Sequence, residues 1–235
     1  MVSTTKPLHT EVTTLRITPR RVAAVAAAVL GLSLFLTVAV LEVPNGAGDA
    51  QLLRWWHEQS NRTAGIYSGL SAIAVAIAAP IAVNFLLDLP SAAGAPHLRA
   101  FVRSMVGAVT ALWLVTGAVR AAIGRFVDIS GERLPGPDTL RLATALNYSL
   151  LGLAGMAALS LAILAISVLV LRTALLATWV GYVGLACGLP MLASVIAQYG
   201  AYTTALGVIW AFCLAAALWR GLDEPATGPT TPRTA

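Results

Sequence analysis

Six apolar runs, at about residues 21–41, 66–87, 101–126, 147–171, 173–195 and 201–219, occupy most of this 235-residue chain. Each is near the roughly 20 residues that an α-helix needs to cross the hydrocarbon core of a bilayer. Inside lipid every backbone N–H and C=O must be satisfied within the chain, so runs of this kind fold as helices. Composition agrees: 58% of residues are hydrophobic and 11% charged, too few polar groups to cover a water-soluble surface. The expected fold is therefore all-α, a polytopic transmembrane bundle of six helices over residues 21–220. The flanks 1–20 and 221–235, rich in Thr, Pro and charge, are expected to be disordered tails. No stretch remains that could hold a separate soluble core.

The basic residues orient the bundle. Lys6, Arg16, Arg20, Arg21, Arg99, Arg103, Arg172, Arg220 and Arg233 fall on one side of the six spans, and Arg54, Arg62, Arg120, Arg125, Arg133 and Arg141 on the other, nine against six. The positive-inside rule puts the nine in the cytoplasm, and with them both termini. The two long loops, 42–65 and 127–146, are then extracytoplasmic. The first run is read as a retained span, because Val22–Leu41 is longer than a signal-peptide core and no small-x-small cleavage site follows. The net charge of +5 forms no stripe with interleaved aromatics, so nucleic acid is not an expected partner. Membrane lipids are, together with a membrane-protein partner or a second copy of the chain.

Several local features bear on packing. Gly184 and Gly188, Gly117 and Ala121, and Gly152 and Gly155 are small-residue pairs that let helices approach closely. Asp138 is placed to cap a helix that begins ahead of the fourth apolar run. Pro80 and Pro190 interrupt the second and fifth spans, but their distances to Trp113 and Trp210, 33 and 20 residues, do not match as an inverted transporter repeat requires. Cys187 and Cys213 read as small packing residues.

Chemistry is sparse. His9, His57 and His97 all lie outside the spans, so no haem can be ligated between helices. No carboxylate stands near the middle of a span, where a proton or sodium relay keeps one. Phosphate-binding loops, nucleophile elbows and metal-spaced cysteines are missing. The chain is expected to have no cofactor, no metal and no enzymatic activity.

One charge stands within a span. Arg120, in "VTGAVRAAIGRF", is five residues before Arg125, about 7.5 Å deeper at 1.5 Å per residue. Two readings stand: the guanidinium snorkels to the interface or pairs with Glu42 or Glu58, or it meets a substrate or lipid phosphate.

The segment "RWWHEQSN", Arg54–Asn61, resembles the start of a His-Glu-x-x-His zinc motif but ends in Asn61. On a helix, Leu52, Leu53, Trp55 and Trp56 share one face, and Arg54, His57, Glu58 and Asn61 the other. One His, one Glu and one Asn are too few for zinc. The pattern is that of a short helix lying on the membrane with its tryptophans at headgroup level.

The order of "LLRWWHEQSNRTAGIYSG", "RAFVRSMVGAVTALWLVTGAVRAAIGRF" and "VLRTALLATWVGYVGLACG" resembles a group of uncharacterised six-span membrane proteins of high-GC actinobacteria. The resemblance rests on arrangement over about residues 20–220. It implies a protein of the cytoplasmic membrane and no particular activity. The expected function is that of a non-enzymatic binding or accessory protein working on the extracytoplasmic side. Its candidate residues are Arg120, Arg125, Trp56, His57, Glu58 and Asn61. The alternative is a carrier for a small neutral or lipid-like solute, which a water-filled volume among Asn84, Asn147, Gln198 and Tyr202 would favour. A filled core would favour the accessory role.

Overall fold

The computed structural model describes residues 18–39, 43–44 and 48–220. Residues 1–17 and 221–235 of the expected tails lie outside these, whereas Pro19 and Arg20 already belong to the first helix. That helix, α1, spans Pro19–Ala39. The short α2 (Asp49–His57) is joined through Glu58 to α3 (Gln59–Leu87). A 3₁₀ turn at Pro90–Gly94 leads into α4 (Pro96–Gly124), which continues as a π-helical turn, Arg125–Ile129. α5 (Pro137–Tyr148) runs through a second π-helical stretch, Ser149–Gly155, into α6 (Met156–Thr173). α7 (Thr178–Ile196), a 3₁₀ turn at Gly200–Thr203 and α8 (Thr204–Arg220) complete the described chain. Among the described residues there are no strands.

Six of these stretches are long and apolar enough to cross a membrane: Pro19–Ala39, Gln59–Leu87, Pro96–Ile129, Pro137–Thr173, Thr178–Ile196 and Gly200–Arg220. Their number, length and composition are those of a multi-pass membrane protein. The third and fourth have 34 and 37 residues, roughly 51 and 55 Å of helix, and so outreach a 30 Å hydrocarbon core. Each span lies against the next in sequence, and α1 closes the ring against α8. The start of α1 meets the end of α8, where Arg20 Nε donates to the Leu218 carbonyl at 3.0 Å. The opposite end, called distal below, carries α2 and the π-helical extension of α4.

The faces of α1 show what drives packing in such a bundle. Its buried side is Ala23, Ala24, Ala27, Leu30, Gly31 and Leu34, while Val25, Val29, Leu32 and Phe35 are exposed. Both sides are apolar, because lipid gives no hydrophobic drive between helices, and small size selects the inward face. Among the described residues the middle of the ring is packed with side chains. Side chains of Leu34, Leu159 and Met191 converge on Gly207 of α8, and Trp113 and Trp210 are fully buried.

Glycines set the closest crossings. A Cβ on Gly69 of α3 would lie 2.5 Å from the Gly117 carbonyl oxygen of α4, and one on Gly117 2.6 Å from the Gly69 carbonyl oxygen. Gly181, Gly184 and Gly188 of α7 turn to α6, where a Cβ would strike Leu171, Ser167 and Leu164 in turn. Gly200 rests on the backbone of Gly152, and Gly155 leaves room for the Trp113 indole.

Two expectations are corrected. Gly136, not Asp138, is the N-cap of α5. Pro137 takes the first helical position, where its fixed φ and missing N–H cost nothing, and Asp138 contributes only its charge to the first turn. The distal loops are also more helical than their turn residues imply, since α2, the start of α3 and α5 all fall within 42–65 and 127–146.

Candidate binding cleft at the distal end

α1 is described as far as Ala39, and Thr37 stands near that end. The carbonyl of Thr37 is taken up from two sides: Ser68 Oγ of α3 donates at 2.8 Å and Arg120 Nη2 of α4 at 2.7 Å. Arg120 Nε donates to Ser68 Oγ at 2.7 Å, and Nη1 to Asn147 Oδ1 of α5 at 3.3 Å. A cation at a helix C-terminus also complements the helix dipole. Arg120 is 5% exposed and thus ties four helices together from within. It does not snorkel. α4 runs on to Gly124 and through the π turn to Ile129, which leaves Arg120 well inside the helix end, and the neighbouring acceptors draw the guanidinium inward.

All three partners are neutral. None of the described ion pairs includes Arg120. Of the expected carboxylate partners, Glu42 lies outside the described residues. Glu58 is exposed and accepts from Asn61 Nδ2 at 3.1 Å instead.

Arg120 and Asn147 form the floor of a cleft of about 380 Å³. Phe35, Val38 and Ala39 make one wall from the end of α1, and Thr204, Ala205 and Val208 the other from the start of α8. Leu151 and Tyr148 close the back. Phe35 is 55% and Tyr202 79% exposed, so the cleft opens sideways between α1 and α8. Val43, Tyr148 and Tyr202 also border a second hollow of about 570 Å³, whose other lining is Pro44, then Gln51, Arg54 and Trp55 of α2, and Glu58 just after it. A polar vestibule under α2 therefore adjoins an apolar cleft with a cationic floor. Of the four residues whose volume was to separate carrier from binding protein, Asn147 and Tyr202 line the cleft, while Asn84 and Gln198 are exposed elsewhere.

The "RWWHEQSN" segment does form a short amphipathic helix, but its apolar face packs on protein. Leu52 and Trp56 are buried with Val43, Ile123 and Leu140, and Leu53 and Trp55 pack against this cluster. Trp56 is thus a packing residue, not a headgroup anchor, because the extended ends of α4 and α5 offer it a protein surface. The polar face divides by role. Asn61 Nδ2 donates to the Trp55 carbonyl at 2.8 Å and braces the break between α2 and α3. His57 is exposed, and its carbonyl accepts from Arg62 Nη1 at 2.7 Å. Among the described residues no three His, Cys, Asp or Glu side chains group as metal ligands. Arg125 is exposed on the π turn. Only Arg120 of the six candidates borders the cleft, and Glu58 borders the vestibule.

Sequence reasoning missed the clasp that holds α2 down. Arg62 Nη1 also donates to the Trp56 carbonyl at 2.8 Å, and Nε pairs with Asp128 Oδ1 at 2.7 Å. Opposite charges at the distal ends of neighbouring spans were the only signal. Ser68 was legible in principle, since Gly65, Ser68, Gly69 and Ala72 form a small-residue stripe at helical spacing. Comparison with protein-family models, curated proteins and solved structures finds no match for the chain.

Proposed function

We propose that the chain is a non-enzymatic binding protein of a bacterial cytoplasmic membrane, of the actinobacterial six-span type, that takes its ligand in the distal cleft. With both termini cytoplasmic, as the nine-to-six distribution of basic residues favours, the cleft faces the extracytoplasmic leaflet. One observation carries the reading: a buried guanidinium at the floor of an apolar, laterally open cleft of ligand size. Sites of about 300–1,000 Å³ with apolar walls and a few fixed polar groups are where small molecules bind. No nucleophile stands beside a base among the cleft's described lining, which supports binding over catalysis. The filled centre of the ring supports binding over passage through the bundle, while the adjoining vestibule keeps a carrier of small lipid-like solutes as the second reading.

Native mass spectrometry of the full chain, released from a mild neutral detergent, tests this. A stoichiometric small adduct in the wild type, lost in Ala205→Trp, is the expected result. An adduct-free wild type that stays so after reconstitution with native lipid extract would overturn it. Reporter fusions after residues 50, 93, 135 and 230 test the orientation, and an extracytoplasmic signal at 93 or 230 would reverse it.

A further inference from the structure

We infer that the ligand of this cleft is an amphiphile with an anionic headgroup, its charge held by Arg120 and its chain laid in the seam between α1 and α8. The inference rests on the binding reading above and adds the chemical class.

A guanidinium has five N–H donors. Arg120 gives three of them to Ser68 Oγ, Asn147 Oδ1 and the Thr37 carbonyl, with Nη1 and Nη2 used once each. One N–H on Nη1 and one on Nη2 have no partner among the described residues, and both belong to a side chain that borders the cleft. Dipoles alone offset only part of the cost of keeping a charge out of water. The component absent among the described residues is a negative charge. A phosphate or carboxylate oxygen supplies it and accepts both N–H groups in charge-assisted bonds, the strong class of hydrogen bond.

The walls decide between a free anion and an amphiphile. A hydrated ion gains nothing from Phe35, Val38, Leu151 and Val208, which line the space beside Arg120. The α1–α8 seam opens at Phe35 toward the flank of the bundle, where lipid lies, so an acyl chain can enter sideways while its headgroup stays near the distal surface. Volume sets a limit as well. About 380 Å³ houses a headgroup and the upper part of a chain, and the remainder lies along the exposed seam.

The test compares lysophosphatidic acid with the monoacylglycerol of the same chain, which differ only by the phosphate, and with inorganic phosphate, each added to the full-length protein in neutral detergent and read by native mass spectrometry. The wild type is expected to prefer lysophosphatidic acid by about tenfold or more, since hydrogen bonds to charged groups are the strong ones. Inorganic phosphate is expected not to compete at millimolar concentration. The sharpest variant is Asn147→Asp. It keeps the shape and the acceptor for Nη1 but installs a counter-charge, and should abolish the preference while monoacylglycerol binding persists. Arg120→Gln should do the same. Equal binding of the two lipids by the wild type overturns the anionic class and leaves a neutral binding site standing. Inorganic phosphate binding as tightly as lysophosphatidic acid overturns the amphiphile. A preference that survives in Asn147→Asp shows that the charge is read elsewhere, and overturns the role of Arg120. Failure of both lipids, in wild type and Ala205→Trp alike, sinks the binding reading itself.

Discussion

The α3–α4 and α1–α8 contacts join spans of the same bundle yet are built on opposite plans. α3 and α4 meet backbone to backbone: Gly69 faces Gly117, and Gly124 sits where a Cβ would come 2.6 Å from the Arg62 carbonyl oxygen. The contact is closed from Ile73 and Gly117 to the distal end at Arg62 and Gly124. α1 and α8 are closed from the Arg20–Leu218 contact to their middle, where a Cβ on Gly31 would meet Phe212 at 3.2 Å and Ala211 at 3.3 Å. One turn further toward the distal end they part around Phe35 and Val208 and leave the cleft. Because lipid does not push helices together, residue size at each level sets how near they come. A bundle can therefore hold a rigid seam and an open one side by side.

The difference is broken most severely by adding volume to the closed seam. Gly69→Val puts branched carbon where even a single Cβ has 2.5 Å to the Gly117 carbonyl oxygen, and the obstacle is backbone that cannot step aside. Overpacking costs typically about 1–3 kcal/mol even where side chains can yield, so this variant should lose at least about 3 kcal/mol or fail to fold. Ala205→Leu in the open seam, by contrast, should change stability by no more than about 0.5 kcal/mol. Denaturation in mixed detergent micelles compares the two. Equal losses would mean that the cleft is not open.

Next in size is the link between the seams. Arg120 leaves α4 and ends at α1, so Arg120→Ala removes three hydrogen bonds at once and should cost about 2–4 kcal/mol, given about 1.5–3 for a single bond to a charged group and the smaller yields found within membranes. Ser68→Ala and Arg120→Ala share one bond, and their effects should fall short of additivity in the double variant. Full additivity would show that the network is not held as described.

How much of this was readable follows from which kind of interaction decides each feature. Helix number and class follow from run length, because the bilayer fixes the length of a span. The pair Gly117 and Ala121 was legible as a close-approach site, but its partner Gly69 was not, since spacing along one helix says nothing about which neighbour it meets. Arg120 stood out as a charge in an apolar run. Its inward course did not, because that depends on the Thr37 carbonyl of another helix, 83 residues away. Trp56 was misread for a related reason. An amphipathic helix shows which face is apolar and not whether lipid or protein will cover it, and here the extra turns of α4 and α5 decide for protein.

A smaller effect is expected at the Arg62–Asp128 clasp, whose side chains are 12% and 18% exposed. The pair sits beside the closed seam and holds α2 over the vestibule. Near a protein surface such a pair couples by about 0.5–1 kcal/mol, measurable as the interaction energy of Arg62→Ala with Asp128→Asn in a double-mutant cycle. Local opening is the better readout: amides of α2 should exchange faster in either single variant while those of α7 stay unchanged. If α2 exchanges no faster, the clasp is incidental and the buried Leu52–Trp56 face alone holds the helix.

The smallest effect separates two glycines of one helix. Gly107 and Gly117 both lie within α4, ten residues apart, but a Cβ on Gly107 meets nothing within 4 Å, whereas one on Gly117 meets Gly69 and Ile73 below 3 Å. Gly within a helix is less favourable than Ala by about 0.5–1 kcal/mol, because it frees the unfolded backbone. Part of that is lost in a membrane, where the unfolded reference keeps much of its helix. Gly107→Ala should thus stabilise by a few tenths up to about 0.5 kcal/mol, and Gly117→Ala should destabilise, with the Gly69 backbone as the obstacle. Opposite signs from one substitution on one helix would establish that the closed seam needs its glycine for space and not for flexibility. The same sign at both positions would show that α3 and α4 stand further apart than their glycines allow, and the contrast between the closed and open seams would have to be abandoned.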